Sequence, residues 1–163
     1  MFVLADGSMH AHMSEMPVGT YKKAHRHGAD FHVFSVTGTG YSLFWYEDEE
    51  DYVRVDWQHG VVFAPPDAIY HQHFNSGTTR ARYMALRDGK GGFIAPNTPV
   101  GGDVSLKKGG IQVEYEDEDP RVHRIFEEEL AKRGQECRMK NLIAECTGVA
   151  GPENKKGALQ AYR

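Results

Sequence analysis

Two His-x-His pairs constrain this chain more than any other feature: His25-Arg26-His27 and His71-Gln72-His73. In an extended strand, residues two apart point to the same face. Each pair therefore presents two imidazoles to one side, as a pair of metal ligands must. The pairs are far apart in sequence, and the stretch between them is rich in strand-forming residues. A closely wound β structure is the fold that brings them together.

The surrounding sequence supports an all-β core. Phe31–Val36, Tyr41–Tyr46, Tyr52–Trp57, Val61–Ala64 and Ala81–Leu86 are short aromatic and β-branched runs. Gly38-Thr39-Gly40, the acidic run 47–51, His59-Gly60 and Asn75-Ser76-Gly77 separate them as turns. The acidic run reads as a solvated hairpin tip. The sequence predicts a barrel over 1–90 and a C-terminal extension over 91–163 with one helix, about 120–133. Asp119 is placed to cap that helix, Pro120 to open it and Gly134 to close it. Val122, Ile125, Phe126 and Leu130 recur at helical spacing, which turns Glu127–Glu129 and His123 outward. The glycine-rich stretch 88–110 reads as a surface arm, and 147–163 as a tail.

All histidines but His123 lie between His10 and His73, out of nine in 163 residues. That concentration marks one region for chemistry. The net charge of −4 gives no electrostatic footprint for nucleic acid. No apolar run is long enough for a membrane span, and two cysteines make no disulfide framework. The expectation is a cytoplasmic protein with both thiols reduced.

The motifs resemble those of the cupin superfamily. Its first motif is Gly, five residues, His-x-His, three or four residues, Glu, six residues, Gly. Here Gly19, Thr20–Ala24, His25-Arg26-His27 and, four residues on, His32 follow that order. His32 stands where the family has glutamate, and Thr39 stands in the closing glycine slot between Gly38 and Gly40. The second motif is Gly, five residues, Pro-x-Gly, two residues, His, three residues, Asn. Gly60, Pro66-Asp67-Ala68, His71 and Asn75 match it, with Ala68 replacing the inner glycine.

The resemblance implies a double-stranded β-helix (jelly-roll) barrel binding one divalent metal ion. It carries the ligand roles onto His25, His27, His32 and His71. Whether His32, Asp30 or His73 completes the shell stays open at this point. An all-imidazole site resembles that of non-haem iron(II) dioxygenases of the superfamily. Iron(II) is the favoured ion, with zinc, nickel or manganese behind it. The expected activity is oxygenation of a small anionic or aromatic compound. A metal-dependent isomerase, lyase or decarboxylase and a non-catalytic binding protein are the alternatives. Tyr21 (which, four residues before His25, shares its face in a regular strand), His73 and Arg87 are candidate substrate-binding residues. Asp67 and Glu15 are acid–base candidates by proximity alone. The family habit of pairing through barrel edges implies a homodimer. The short lead before Gly19 leaves room for the chain to be part of a longer two-barrel protein.

Overall fold

A computed structural model describes residues 2–27, 31–88 and 104–148. The expected arm and tail lie largely outside these residues, as does Asp30. Among the described residues, eight strands form two antiparallel sheets. They are β1 (Phe2–Leu4), β2 (Met9–Met16), β3 (His32–Thr37), β4 (Gly40–Trp45), β5 (Val53–Trp57), β6 (Val62–Phe63), β7 (Tyr70–Phe74) and β8 (Ala81–Asp88). The larger sheet has the order β1-β2-β8-β3-β6, and the smaller the order β5-β4-β7. This is the all-β, two-layer architecture that the cupin resemblance implies.

The predicted strands sit within a residue or two of the observed ones, except that β6 shrinks to two residues. The acidic run forms the exposed connection between β4 and β5. Gly40 is required by close approach. A Cβ there would stand 2.0 Å from the Phe74 carbonyl oxygen and 2.5 Å from the Trp57 ring. The glycine missing from the Thr39 slot is thus supplied one residue later.

β4 and β7 of the small sheet are buried on both faces, so they show no burial alternation. Side-chain direction still alternates. Ser42 pairs with His73 and Phe44 with His71, facing the large sheet. Tyr41 pairs with Phe74 and Leu43 with Gln72, facing away from it. Met16, Val33, Trp57, Ala81, Tyr83 and Ala85 form one apolar cluster on the large-sheet side.

On the opposite face lies α1 (Pro120–Lys132). It starts as predicted: the Asp119 carboxylate accepts from the Arg121 backbone N–H at 2.8 Å, and Pro120 fills the first turn. Val122, Phe126 and Leu130 pack on Tyr21, Tyr41, Leu43 and Phe74. Residues 137–146 fold back over the helix, contributing Cys137, Met139, Ile143 and Cys146 to the same core. That second cover corrects the expectation for the helix's outer face. His123 and Glu127 are buried, Glu129 is buried against Arg54 of β5, and Glu128 stays exposed as expected.

Candidate metal centre

Residues 19–27 run antiparallel to β7 and carry the first two histidines. Lys22 N–H donates to the His73 carbonyl, and His25 and His71 exchange backbone hydrogen bonds at 3.2 and 2.9 Å. The pairing is not regular. Tyr21 opposes Phe74 and His25 opposes His71, so four steps on one strand match three on the other. One extra residue is a β-bulge, and it reverses facing between Tyr21 and His25.

The bulge decides two roles. His25 and His27 turn toward the large sheet beside His71. Ring centroids are 5.5 Å apart for His25–His27, 4.4 Å for His25–His71 and 4.7 Å for His27–His71. One nitrogen from each lies within 4.8 Å of the others. Tyr21 points the opposite way, into the helix core. Its hydroxyl donates to Glu118 Oε1 at 2.6 Å, which corrects the expectation that it shares the face of His25.

His32 is also a correction. It is exposed at the start of β3, whereas Val33 and Ser35 are buried. Strand alternation therefore turns His32 away from the three converging histidines. Among the described residues the cluster is His25, His27 and His71, without His32 or His73.

The donor set fits a divalent ion. His25 Nδ1 lies 3.2 Å from the Lys23 carbonyl oxygen, and His71 Nδ1 lies 3.2 Å from that of Ile69. A carbonyl accepts only, so each Nδ1 carries a proton and Nε2 is the nitrogen left to ligate in the neutral ring. Burial, reinforced by the His25, His73 and His27 imidazoles, holds the His71 pKa well below the ordinary histidine range. A neutral imidazole is the ligating form. Backbone carbonyls here act as the outer partners that fix ring orientation. The Ala68 N–H donates to the His27 carbonyl at 3.1 Å, tying the two motif loops together.

A cluster of polar side chains, here called the chamber, adjoins the three histidines. His73 lies behind His71, centroids 5.6 Å apart, with Nδ1 2.7 Å from Ser42 Oγ. Lys22 reaches inward, donating to Ser14 Oγ at 2.9 Å and to the Tyr83 hydroxyl at 2.8 Å. Burial first, then His25 and the Lys22 charge, depress the pKa of His73. Burial and then Lys22 do the same to His12. Phe31 packs edge-on against His27 at 4.5 Å, and the Arg87 guanidinium lies over Phe31 at 5.3 Å. Phe44 and Phe63 complete the wall near His71 and His73.

Lys22, His12, Ser14 and Tyr83 were not legible as site residues. His12 and Ser14 do alternate on β2, but nothing in the sequence tells the inner face of that strand from the outer. Glu15 pairs with Arg80 and Arg82 on the outer face, away from the chamber. Asp67 is exposed in the loop before β7.

No protein-family model matches the sequence, and no curated protein matches it. Solved structures match it in shape. One is Peruvianin-I, a cysteine peptidase from Thevetia peruviana latex, with 17% identity, a TM-score of 0.47, and 51% of this chain on 52% of that one. Another is CapF, a capsular polysaccharide assembling protein from Staphylococcus aureus, with 17% identity, a TM-score of 0.44, and 48% of this chain on 24% of that one. A third is Bacillus subtilis oxalate decarboxylase, with 16% identity, a TM-score of 0.46, and 50% of this chain on 22% of that one. The match thus spans about half of the first protein and about a quarter or less of the other two. Among the described residues, no helix is long and apolar enough to cross a membrane.

Proposed function

We propose that this chain is a metal-dependent oxygenase of a small anionic substrate, using iron(II) held by His25, His27 and His71. One observation carries the reading: three imidazoles converge beside the cation Lys22, with Arg87 over the neighbouring Phe31 ring. Three neutral ligands cancel none of the ion's charge. When bound, the ion supplies a Lewis-acid centre with open coordination positions.

The chain's own groups do the rest. Lys22 offers an ammonium to a substrate carboxylate or enolate, held in place by the Ser14 and Tyr83 hydroxyls. Arg87 adds a second positive charge at the Phe31 rim. His73 faces the chamber as a neutral imidazole, able to accept or donate one hydrogen bond. Phe31, Phe44 and Phe63 exclude water, which strengthens each of these interactions. In the overall reaction O₂ is the oxidant. A carbon–carbon bond of the substrate breaks, and both oxygen atoms enter the product.

Oxygen uptake by the iron-loaded protein across catechols, hydroxybenzoates and β-diketones tests this. One O₂ consumed per substrate cleaved is the expected result. Anion binding without O₂ consumption on any of them counts against it. That outcome favours a non-redox lyase or decarboxylase, for which the Lys22–Tyr83 pair supplies an acid–base couple.

A further inference from the structure

A second cluster of metal-type side chains lies on the far side of the small sheet, under α1. His123 and Glu127 stand one turn apart on the helix, and Cys137 and Cys146 come from the segment that folds over it. One ligand atom from each of the four lies within 4.8 Å of the others. The two sulfurs are 3.3 Å apart, and His123 Nε2 is 3.3 Å from Glu127 Oε1. All four residues are buried, the most exposed at 7%.

The hydrogen bonds around His123 single out its Nε2. The Tyr21 hydroxyl has one proton, which it donates to Glu118 Oε1 at 2.6 Å. His123 Nδ1, 3.1 Å from the same hydroxyl oxygen, is then the donor in that contact. Its Nε2 is buried, makes no hydrogen bond, and faces a carboxylate oxygen at 3.3 Å. An imidazole nitrogen and a carboxylate oxygen, with two thiols converging on the same point, make a nitrogen, oxygen and sulfur donor set of the kind that binds a soft divalent ion. A packed pair of thiols and a helix-face ion pair would account for the residues separately, but not for their convergence on an unsatisfied nitrogen.

We propose that His123, Glu127, Cys137 and Cys146 form a closed structural zinc site. Zinc takes nitrogen at about 2.0 Å and sulfur at about 2.3 Å in tetrahedral geometry, which sets ligand atoms about 3.3–3.8 Å apart. The His123–Glu127 separation of 3.3 Å matches the nitrogen–oxygen value, and the two sulfurs, 3.3 Å apart, would separate by about 0.5 Å on binding to reach the sulfur–sulfur value. Thiolate sulfur disfavours magnesium and calcium, and four protein ligands leave no position for substrate. Glu127 Oε1 accepts from the Thr147 N–H at 2.7 Å and its hydroxyl at 2.9 Å, contacts that fix the carboxylate while Oε2 stays open to ligate. Binding releases the two thiol protons to solvent and involves no oxidant. The ion would pin residues 137–147 to α1 and, through His123 and Tyr21, brace the strand that carries His25 and His27.

The test uses the whole chain with His25→Ala and His27→Ala, which removes the first site. After loading and desalting, one zinc per chain should remain. Cobalt(II) in its place should give a thiolate-to-metal charge-transfer band in the near ultraviolet. Both cysteines should resist alkylation until zinc is chelated. The wild-type chain supplies the same spectrum should that variant not fold: the band should be lost in Cys137→Ser/Cys146→Ser while one of two ions is retained. Cobalt bound without a thiolate band overturns the proposal, as does equal alkylation with and without zinc. A mass two hydrogens lighter, with both thiols blocked, also overturns it and makes the pair a disulfide.

Discussion

Ala68 should be a strained residue, and replacing it with glycine should make the protein more stable. It stands at the glycine position of the second motif with a φ of +60°. The left-handed region costs a residue with a Cβ roughly 1–2 kcal/mol. Glycine escapes that cost but widens the unfolded ensemble, which takes back about 0.4–1 kcal/mol. Ala68 is exposed, so the lost methyl forfeits little burial. The net expectation for Ala68→Gly is a gain of about 0.5–1 kcal/mol. Urea denaturation should show a higher midpoint at an unchanged slope, and the melting temperature should rise by roughly 2–4 °C per kcal/mol. Ala68→Val should move both the other way, because a β-branched side chain fits that region worst. The N–H of residue 68 still reaches the His27 carbonyl in the glycine variant, so metal occupancy should not fall. A less stable Ala68→Gly protein would refute the reasoning.

Three further outcomes follow from the same structure. Lys22→Met should weaken binding of a simple carboxylate probe such as acetate to the metal-loaded protein by about 10–100-fold, the worth of one charge-assisted hydrogen bond; a change under about twofold removes Lys22 from anion recognition. Phe126→Ala should cost about 3–5 kcal/mol in chemical denaturation, because the ring is fully buried against Tyr21 and Phe74. Burial of the Asp119 carboxyl opposes ionisation, but hydrogen bonds from Arg121 and Tyr52 hold its pKa below the ordinary aspartate value. Its folded pKa therefore lies below the unfolded one, and its stabilisation is complete above the unfolded pKa and disappears as pH falls through the folded value. The stability gap between wild type and Asp119→Asn, followed by urea titration, should close as pH drops from 7 toward 3, and a constant gap would contradict the assignment.

The sequence carried the chemistry better than the facing of its residues. His25, His27 and His71 were legible because motif spacing and strand period agree on them. Tyr21 was not, because a single bulge between it and His25 reverses the parity on which its placement relied. His32 matched the motif position, yet Val33 next to it takes the inward place, and neighbours on a strand cannot share a face. The outer face of α1 read as solvated because its cover, residues 137–146, has no periodic pattern to announce it. Arg54 on β5 meets Glu129 from below at 3.2 Å, a partner from a distant strand that helical spacing does not reveal. Asn75 behaved as its turn role predicts, accepting from the Gly77 N–H and donating to the Met16 and Thr79 carbonyls.

The central claim is a three-histidine metal centre without His32. Iron content after loading and desalting tests it most directly, measured in parallel for His25→Ala, His27→Ala, His71→Ala and His32→Ala. The account predicts that the first three lose their iron and that His32→Ala keeps the wild-type amount. Full iron in His71→Ala, or its loss in His32→Ala, would contradict it.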